Sequence, residues 1–411
     1  MAVSFDEARA LVLAHARPLG TESVELWDLA GRVLAQPIAA AFDLPRFGNS
    51  AMDGFGVHVA DVAGASPAQP ARLSLAGTSR AGDAPGAALS RGAAVKILTG
   101  AAIPPGVEAV VMAEDAEEAD GAVLVRRPAK PGENIRLRGE EYRAGDVVLA
   151  TGTRATPPVV GLLATFGLPS AEVCRLPKVA VVVTGSELAE PGQSLQEGCI
   201  YDANTYTLRA ALTALGIHDP TCDRVDDTPG ATRESLRSAL DVADVVLAVG
   251  GVSVGEYDLV KEVCADLGVQ TRFWQVAMKP AKPTYFGTYS DGRARETLVF
   301  GLPGNPVAVL VAYHQFVRPA LLAMMGASDI APTLLPAALT TPVRKKRGRL
   351  EFLRGRARVE DGKLVVTPTT GQGSHMLGGL AQANCLLHLL PEAEGFAPGD
   401  TVNVEFLSWE R

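Results

Sequence analysis

The chain has 411 residues, and at about 100–200 residues per domain this makes two to four domains, each long enough to bury a core. Its 38 Lys+Arg against 46 Asp+Glu leave a formal charge of −8, so the basic excess needed to neutralise a phosphate backbone is missing and nucleic acid is a poor first partner. With 42 Gly, 28 Pro and 47% hydrophobic residues the chain reads as globular and turn-rich rather than disordered, and its five scattered cysteines, never in a CxxC pair, argue against a disulfide framework or a zinc site.

In chain order, Ser4-Phe5-Asp6-Glu7 has the S-x-x-E form of a capping box and opens a helix that runs on to about Ala16, before Pro18 and Gly20. Asp6, Glu7, Arg9 and Arg17 interrupt what would be the apolar run of a signal peptide, so a cytoplasmic protein is expected. From about 44 to 149, short Val/Ile/Leu runs at 94–98, 109–112 and 122–125 alternate with Gly/Pro turns, the pattern of a small β-rich unit. A helical segment at 157–166 follows.

Between 177 and 326 strand-like and helix-like segments alternate, which predicts βαβ units and a largely parallel, doubly wound α/β domain. Strands are predicted at 179–183, 221–225, 245–249, 272–277 and 297–300, and helices at 204–215, 231–242, 257–267 and 306–325. His314, Gln315 and Arg318 break the last helix's apolar run, so it does not read as a membrane span. After Pro332 a β pattern returns at 350–359, 363–367, 385–389 and 401–406, with a tight turn at Asp361-Gly362.

Ligands of open α/β sheets bind where loops leave the carboxyl ends of the strands. Those loops here carry Thr184-Gly185-Ser186-Glu187, Asp226-Asp227, Gly250-Gly251-Val252-Ser253-Val254-Gly255 followed by Asp258, Lys279-Pro280-Ala281-Lys282-Pro283, and Gly301-Leu302-Pro303-Gly304-Asn305-Pro306. The glycines allow close backbone approach, and successive free N–H groups at a helix start would form an anion nest. Lys279 and Lys282 are cations on a proline-stiffened loop, and Glu187, Asp226 and Asp258 are hard oxygen donors suited to Mg²⁺. The set fits a phosphorylated ligand, a divalent metal and a second oxyanion. Each part also has a bland reading: Gly250-Gly251 as a tight turn, Asp226-Asp227 as the cap of the following helix, the two lysines as solvated surface, Asn305 as a helix cap. Only their coincidence on one sheet edge favours a site. The Walker and Rossmann glycine patterns and a nucleophile triad are missing.

The segments Asn49 to Phe55, Lys96-Ile97-Leu98-Thr99-Gly100-Ala101, Gly132-Glu133-Asn134-Ile135-Arg136, Thr184 to Leu188, Gly250 to Gly255, Lys279 to Pro283, Gly301 to Pro306 and Gly371-Gln372-Gly373-Ser374-His375, taken in order, resemble the MoeA family of molybdopterin molybdenumtransferases, to which the gephyrin E domain is related. The resemblance implies a linking domain at 1–43 and 144–176, a β-rich domain at 44–143, a molybdopterin-binding α/β domain at 177–328 and a barrel-like C-terminal β domain at 329–411. It implies a homodimer whose cleft joins the third domain of one subunit to the second of the other. The implied reaction takes adenylated molybdopterin, molybdate and Mg²⁺ to the molybdenum cofactor and AMP, downstream of a molybdopterin adenylyltransferase. Asp53 and Thr99 match the residues lent across the dimer. Glu187, Asp226 and Asp258 match the acidic set, with Asp227 an equal alternative to Asp226, and Lys279 and Lys282 match the paired lysines. Gly185, Ser186, Gly250, Gly251, Ser253, Gly255, Pro303, Gly304, Asn305, Arg349 and Ser374 are the implied ligand contacts. Gln275 stands where relatives often carry Lys, Ala281 where they often carry Gly, and Glu141 where Asp is common. A carrier or scaffold that holds the pterin without turnover is the alternative the same resemblance allows.

Overall fold

The structure is a computed structural model that describes residues 2–251, 259–292 and 296–407. The chain forms two compact units, one of Met1–Gln36, Thr151–Gly161 and Pro169–Arg411, the other of Pro37–Ala150 and Leu162–Leu168.

The second unit is built on a sheet in the spatial order Ala109–Met112, Gly54–Val57, Ala93–Ile97, Ala71–Ser79, Ala122–Val125, Ala116–Ala119. Phe55, Val57, Leu73, Val111, Val123 and Val125 fill its core. The sequence runs at 94–98, 109–112 and 122–125 are strands here. Gly54–Val57 is a strand the sequence pattern does not predict, since its two glycines leave no apolar run. They are strand residues for a packing reason: a Cβ on Gly54 would stand 1.9 Å from the Val111 carbonyl oxygen.

The first unit centres on a six-stranded sheet of β1 (Val179–Thr184), β2 (Thr221–Val225), β3 (Val245–Val249), β4 (Gln270–Phe273), β5 (Tyr285–Ser290) and β6 (Glu296–Leu302), in the order β2-β1-β3-β6-β5-β4. The pairs β1–β2, β1–β3 and β3–β6 are parallel, while β5 is antiparallel to both β6 and β4. Strands β1 and β3 are buried along their whole length, as a sheet covered on both faces requires. Their alternate residues divide between two cores. Val181, Val183, Val245 and Leu247 pack with Leu208 and Leu212 of helix Asn204–Ala214 and with the Pro306–Ala312 helix, whereas Ala180, Val182, Val246 and Ala248 pack with Leu236 of helix Pro229–Val242 and Val260 of helix Leu259–Asp266. This is the doubly wound α/β arrangement.

Two predicted elements are corrected. The strand expected at 272–277 is β4, and it leaves the sheet after Phe273 because Val276 bridges to Val3 and Met278–Lys279 pairs instead with Leu350 and Glu351. Its antiparallel partner β5 was not predicted. The single helix expected at 306–325 is Pro306–Ala312 and Arg318–Met324 joined by a π turn at Tyr313–Val317. There His314 and Gln315 reach the buried Glu405, and Pro319 just beyond has no N–H for the helical ladder. Pro306–Met324 is long and apolar enough to cross a membrane, but it is almost wholly buried in this unit's core.

At the N-terminus the capping box forms as predicted: Glu7 N–H donates to Ser4 Oγ at 3.2 Å and Ser4 N–H to Glu7 Oε2 at 2.9 Å, opening helix Phe5–His15. At the C-terminus Leu350–Glu360 pairs with both Lys363–Pro368 and Cys385–Leu389. With Leu334–Leu339 and Thr401–Phe406 it closes a barrel around Leu339, Val366, Leu387 and Val404.

Candidate functional site

In the central sheet the chain leaves β1 toward β2 on one side and reaches β3 on the other, so a crevice opens at the carboxyl ends of β1 and β3. A cavity of about 680 Å³ lies there. Its wall takes Thr184, Gly185 and Glu187 from the loop after β1, Asp227 from the loop after β2, Gly250 and Gly251 after β3, and Pro303, Gly304 and Asn305 after β6. Lys282, from the β4–β5 connection, completes it. β4 runs parallel to β6, which brings that connection to the same edge.

Gly250 and Gly251 have φ of +89° and +61°, and a Cβ on Gly250 would lie 2.5 Å from the Thr184 carbonyl oxygen. The expectation of free N–H groups is corrected at two glycines. Gly250 N–H donates to Leu302 O at 3.1 Å and Gly185 N–H to Val225 O at 3.2 Å. Their service is close approach of the backbone, with the donors spent inside the fold.

Of the tandem acids, Asp227 lines the crevice and Asp226 does not. Neither caps the next helix: Thr228 Oγ1 accepts the Ala231 N–H at 3.4 Å and Pro229 opens the first turn. Ser186 is also outside the wall, and its Oγ accepts the Asp227 N–H at 3.3 Å, tying the β1 and β2 loops together. Ser253, Gly255 and Asp258 lie outside the described residues. Among the described residues no three His, Cys, Asp or Glu side chains cluster as a metal site.

Sequence reasoning missed Asn204. This buried residue donates from Nδ2 to Gly304 O at 2.8 Å and joins the helix start to the β6 loop. The signal was available: Asp202 already caps that helix by accepting the Thr205 N–H at 3.1 Å, so a second polar residue there serves something else.

A second cavity of about 310 Å³ shares Lys282, Pro283, Pro303 and Asn305 with the first and adds Lys279, Arg349, Glu351, Gln372 and Ser374. Lys279 Nζ donates to Oε2 of the buried Glu351 at 3.1 Å, so part of its charge is neutralised within the fold. Lys282 is half-buried and forms no ion pair among the described residues. Asn305 sits at a helix N-cap, yet its Nδ2 donates outward to Ser374 Oγ at 3.1 Å. Ala281, where relatives often carry glycine, has φ of +65°, the left-handed region that favours glycine. Gln275 lines neither cavity.

Asp53 and Thr99 belong to the second unit. The antiparallel register Gly54↔Ile97 sets Asp53 beside the turn that carries Thr99. Asp53 Oδ1 accepts the Thr99 N–H at 2.7 Å and its hydroxyl at 2.8 Å, and these two bonds hold the carboxyl below the ordinary aspartate value.

Three family models match consecutive stretches: the MoeA N-terminal region (domain I and II) over residues 3–167, a probable molybdopterin binding domain over 180–323, and the MoeA C-terminal region (domain IV) over 336–407. A molybdopterin molybdenumtransferase of Haemophilus influenzae is 36% identical over 98% of each chain, and one of Nostoc sp. is 36% identical over 92% of this chain and 86% of its own. The molybdopterin biosynthesis MoeA protein of Pyrococcus horikoshii OT3 superposes with a TM-score of 0.82 at 30% identity, covering 99% of this chain and 100% of its own. With the doubly wound crevice domain, the closed barrel and matches along nearly its whole length, the chain belongs to the MoeA family of molybdopterin molybdenumtransferases.

Proposed function

We propose that this chain inserts molybdenum from molybdate into adenylated molybdopterin during molybdenum cofactor biosynthesis, with Mg²⁺-dependent release of AMP. The observation that carries the reading is the pair of cavities with one common wall: a larger crevice edged by carboxylates beside a small basic pocket. The relatives' name, molybdopterin molybdenumtransferase, supports it independently. The crevice takes the adenylated pterin. The Lys282, Arg349 and Ser374 side takes the tetrahedral oxyanion, with Lys279 set by Glu351 at its margin. Lys282, common to both walls, holds the anion toward the pterin's sulfurs, and its ammonium is not spent on another side chain among the described residues.

The donor set fits Mg²⁺, which binds one or two carboxylates, keeps several waters and completes its shell with substrate phosphates. Glu187 and Asp227 line the one crevice and would hold it, with Asp258 as a third candidate. Bound there, the ion supplies neutralisation of the phosphate charge as the link to AMP breaks. The chain acts as a cytoplasmic homodimer, with Asp53 and Thr99 serving the crevice of the second copy. Its pterin substrate comes from a molybdopterin adenylyltransferase. The four-part division at 44, 144, 177 and 329 stands as the domain proposal that accompanies this reading.

The test incubates the purified protein with adenylated molybdopterin, Mg²⁺ and molybdate and asks whether the product activates an apo-molybdoenzyme. Activation together with AMP is expected. Tight pterin binding with no AMP and no activation would make the protein a carrier.

A further inference from the structure

Arg354 is 1% exposed, yet it forms no ion pair among the described residues. Burying a guanidinium without a carboxylate is costly, so its directional donors need a use. Nη2 has one: it donates to the carbonyls of both Gly371 and Gly373, while Nε has no hydrogen-bond partner among the described residues, and the Arg354 backbone N–H donates to Gln372 Oε1 at 3.1 Å. Gln372 answers from Nε2 to Arg354 O at 2.8 Å and to Thr369 O at 2.9 Å. Two residues beyond Gln372 is Ser374, whose Oγ accepts from Asn305 and whose carbonyl accepts the Val307 N–H at 3.1 Å. The strand that carries Arg354, Leu350–Glu360, also carries Glu351, the partner of Lys279, and follows directly on Arg349. One strand thus anchors both sides of the small basic cavity.

We propose that Arg354 and Gln372 are a positioning pair that sets the oxyanion affinity of this enzyme by holding the 371–374 loop so that Ser374 faces Lys282 and Arg349. The inference rests on the reading of the basic cavity as the oxyanion pocket. Neither residue need touch the anion, because the amide ends of Gln372 are committed to Arg354 and Thr369 and the guanidinium faces loop carbonyls.

The probe is molybdate, titrated calorimetrically against wild type, Gln372→Ala, Arg354→Lys and Arg354→Met, with thermal unfolding run in parallel. Gln372→Ala retains every cation yet is expected to weaken molybdate binding by about tenfold or more. Its kcat at saturating molybdate and its affinity for adenylated molybdopterin stay within about twofold of wild type. Arg354→Lys retains the charge, but its Nζ ends one bond short of the position of Nη2 and lacks the guanidinium's planar aim at the Gly371 and Gly373 carbonyls, so it recovers only part of what Arg354→Met loses. Should Arg354→Met fail to fold, Gln372→Ala carries the test. Wild-type affinity in folded Gln372→Ala and Arg354→Lys would overturn the pairing. A wild-type protein that binds no molybdate would instead reject the oxyanion reading itself, and the pair's role with it.

Discussion

The two lysines of the β4–β5 connection look equivalent in sequence and differ in the structure. Lys279 is paired with the buried Glu351, and Lys282 faces both cavities with no ion-pair partner among the described residues. Their alanine variants should therefore fail differently. Lys279→Ala strands a buried carboxylate and is expected to cost about 1–2 kcal/mol of stability, a figure kept low because the lysine is itself half exposed. Lys282→Ala leaves nothing unpaired, so its unfolding temperature stays near wild type while kcat/KM for molybdate drops about 10–100-fold, as the loss of one charged hydrogen bond implies. Thermal unfolding beside molybdate kinetics separates the two, and an unstable Lys282→Ala with normal kinetics would reverse the assignment. Sequence reasoning located both lysines but could not tell them apart. The difference comes from the pairing of Met278–Lys279 with a strand that starts at Leu350, a contact no local pattern encodes.

At the level of elements, the apolar runs of β1, β3 and β6 and the glycines behind them made the crevice legible, because a strand buried on both faces leaves little freedom of composition. Three things were not legible, each for a tertiary reason. Gly54–Val57 is a strand because of the close approach of Val111, β5 needs β6 as its partner, and of the tandem acids only Asp227 lines the crevice while Thr228 takes the cap. The π turn at Tyr313–Val317 belongs with these, since the partner that His314 and Gln315 reach from it lies on the last barrel strand. There the buried Glu405 meets His314 and His388, each at 2.8 Å, and accepts from Gln315 Nε2 at 2.8 Å. Burial alone would raise its carboxyl, but the bonds from His314, His388 and Gln315 outweigh burial and hold it well below the ordinary glutamate value. A carboxyl depressed in the fold stabilises the fold fully above its unfolded value near 4.5 and loses that contribution as the pH falls below it. Wild-type unfolding temperature should therefore fall through the acid range below that value. Glu405→Gln should begin about 3 kcal/mol less stable at neutral pH and show a flatter acid limb. Parallel acid limbs in the two proteins would remove Glu405 from the account of stability.

At the scale of the whole molecule, the proposal divides one reaction between two copies: crevice and basic pocket from one, the hydrogen-bonded Asp53 and Thr99 from the other. Mixing Asp53→Ala protein with Lys282→Ala protein tests that division. At molybdate well below the wild-type KM each variant alone is expected to be nearly inactive, and random exchange into mixed dimers restores about a quarter of wild-type activity, because half the dimers carry one intact cleft of two. No recovery after verified exchange would place all the residues within one copy. Coupling of metal insertion to AMP release is read from AMP production from adenylated molybdopterin as a function of molybdate concentration, with Mg²⁺ present, in wild type and Lys282→Ala. Release that saturates with molybdate in wild type, with the molybdate KM raised about tenfold or more in the variant, is the expected result. AMP released at the same rate with and without molybdate would contradict coupled metal insertion and leave a hydrolase.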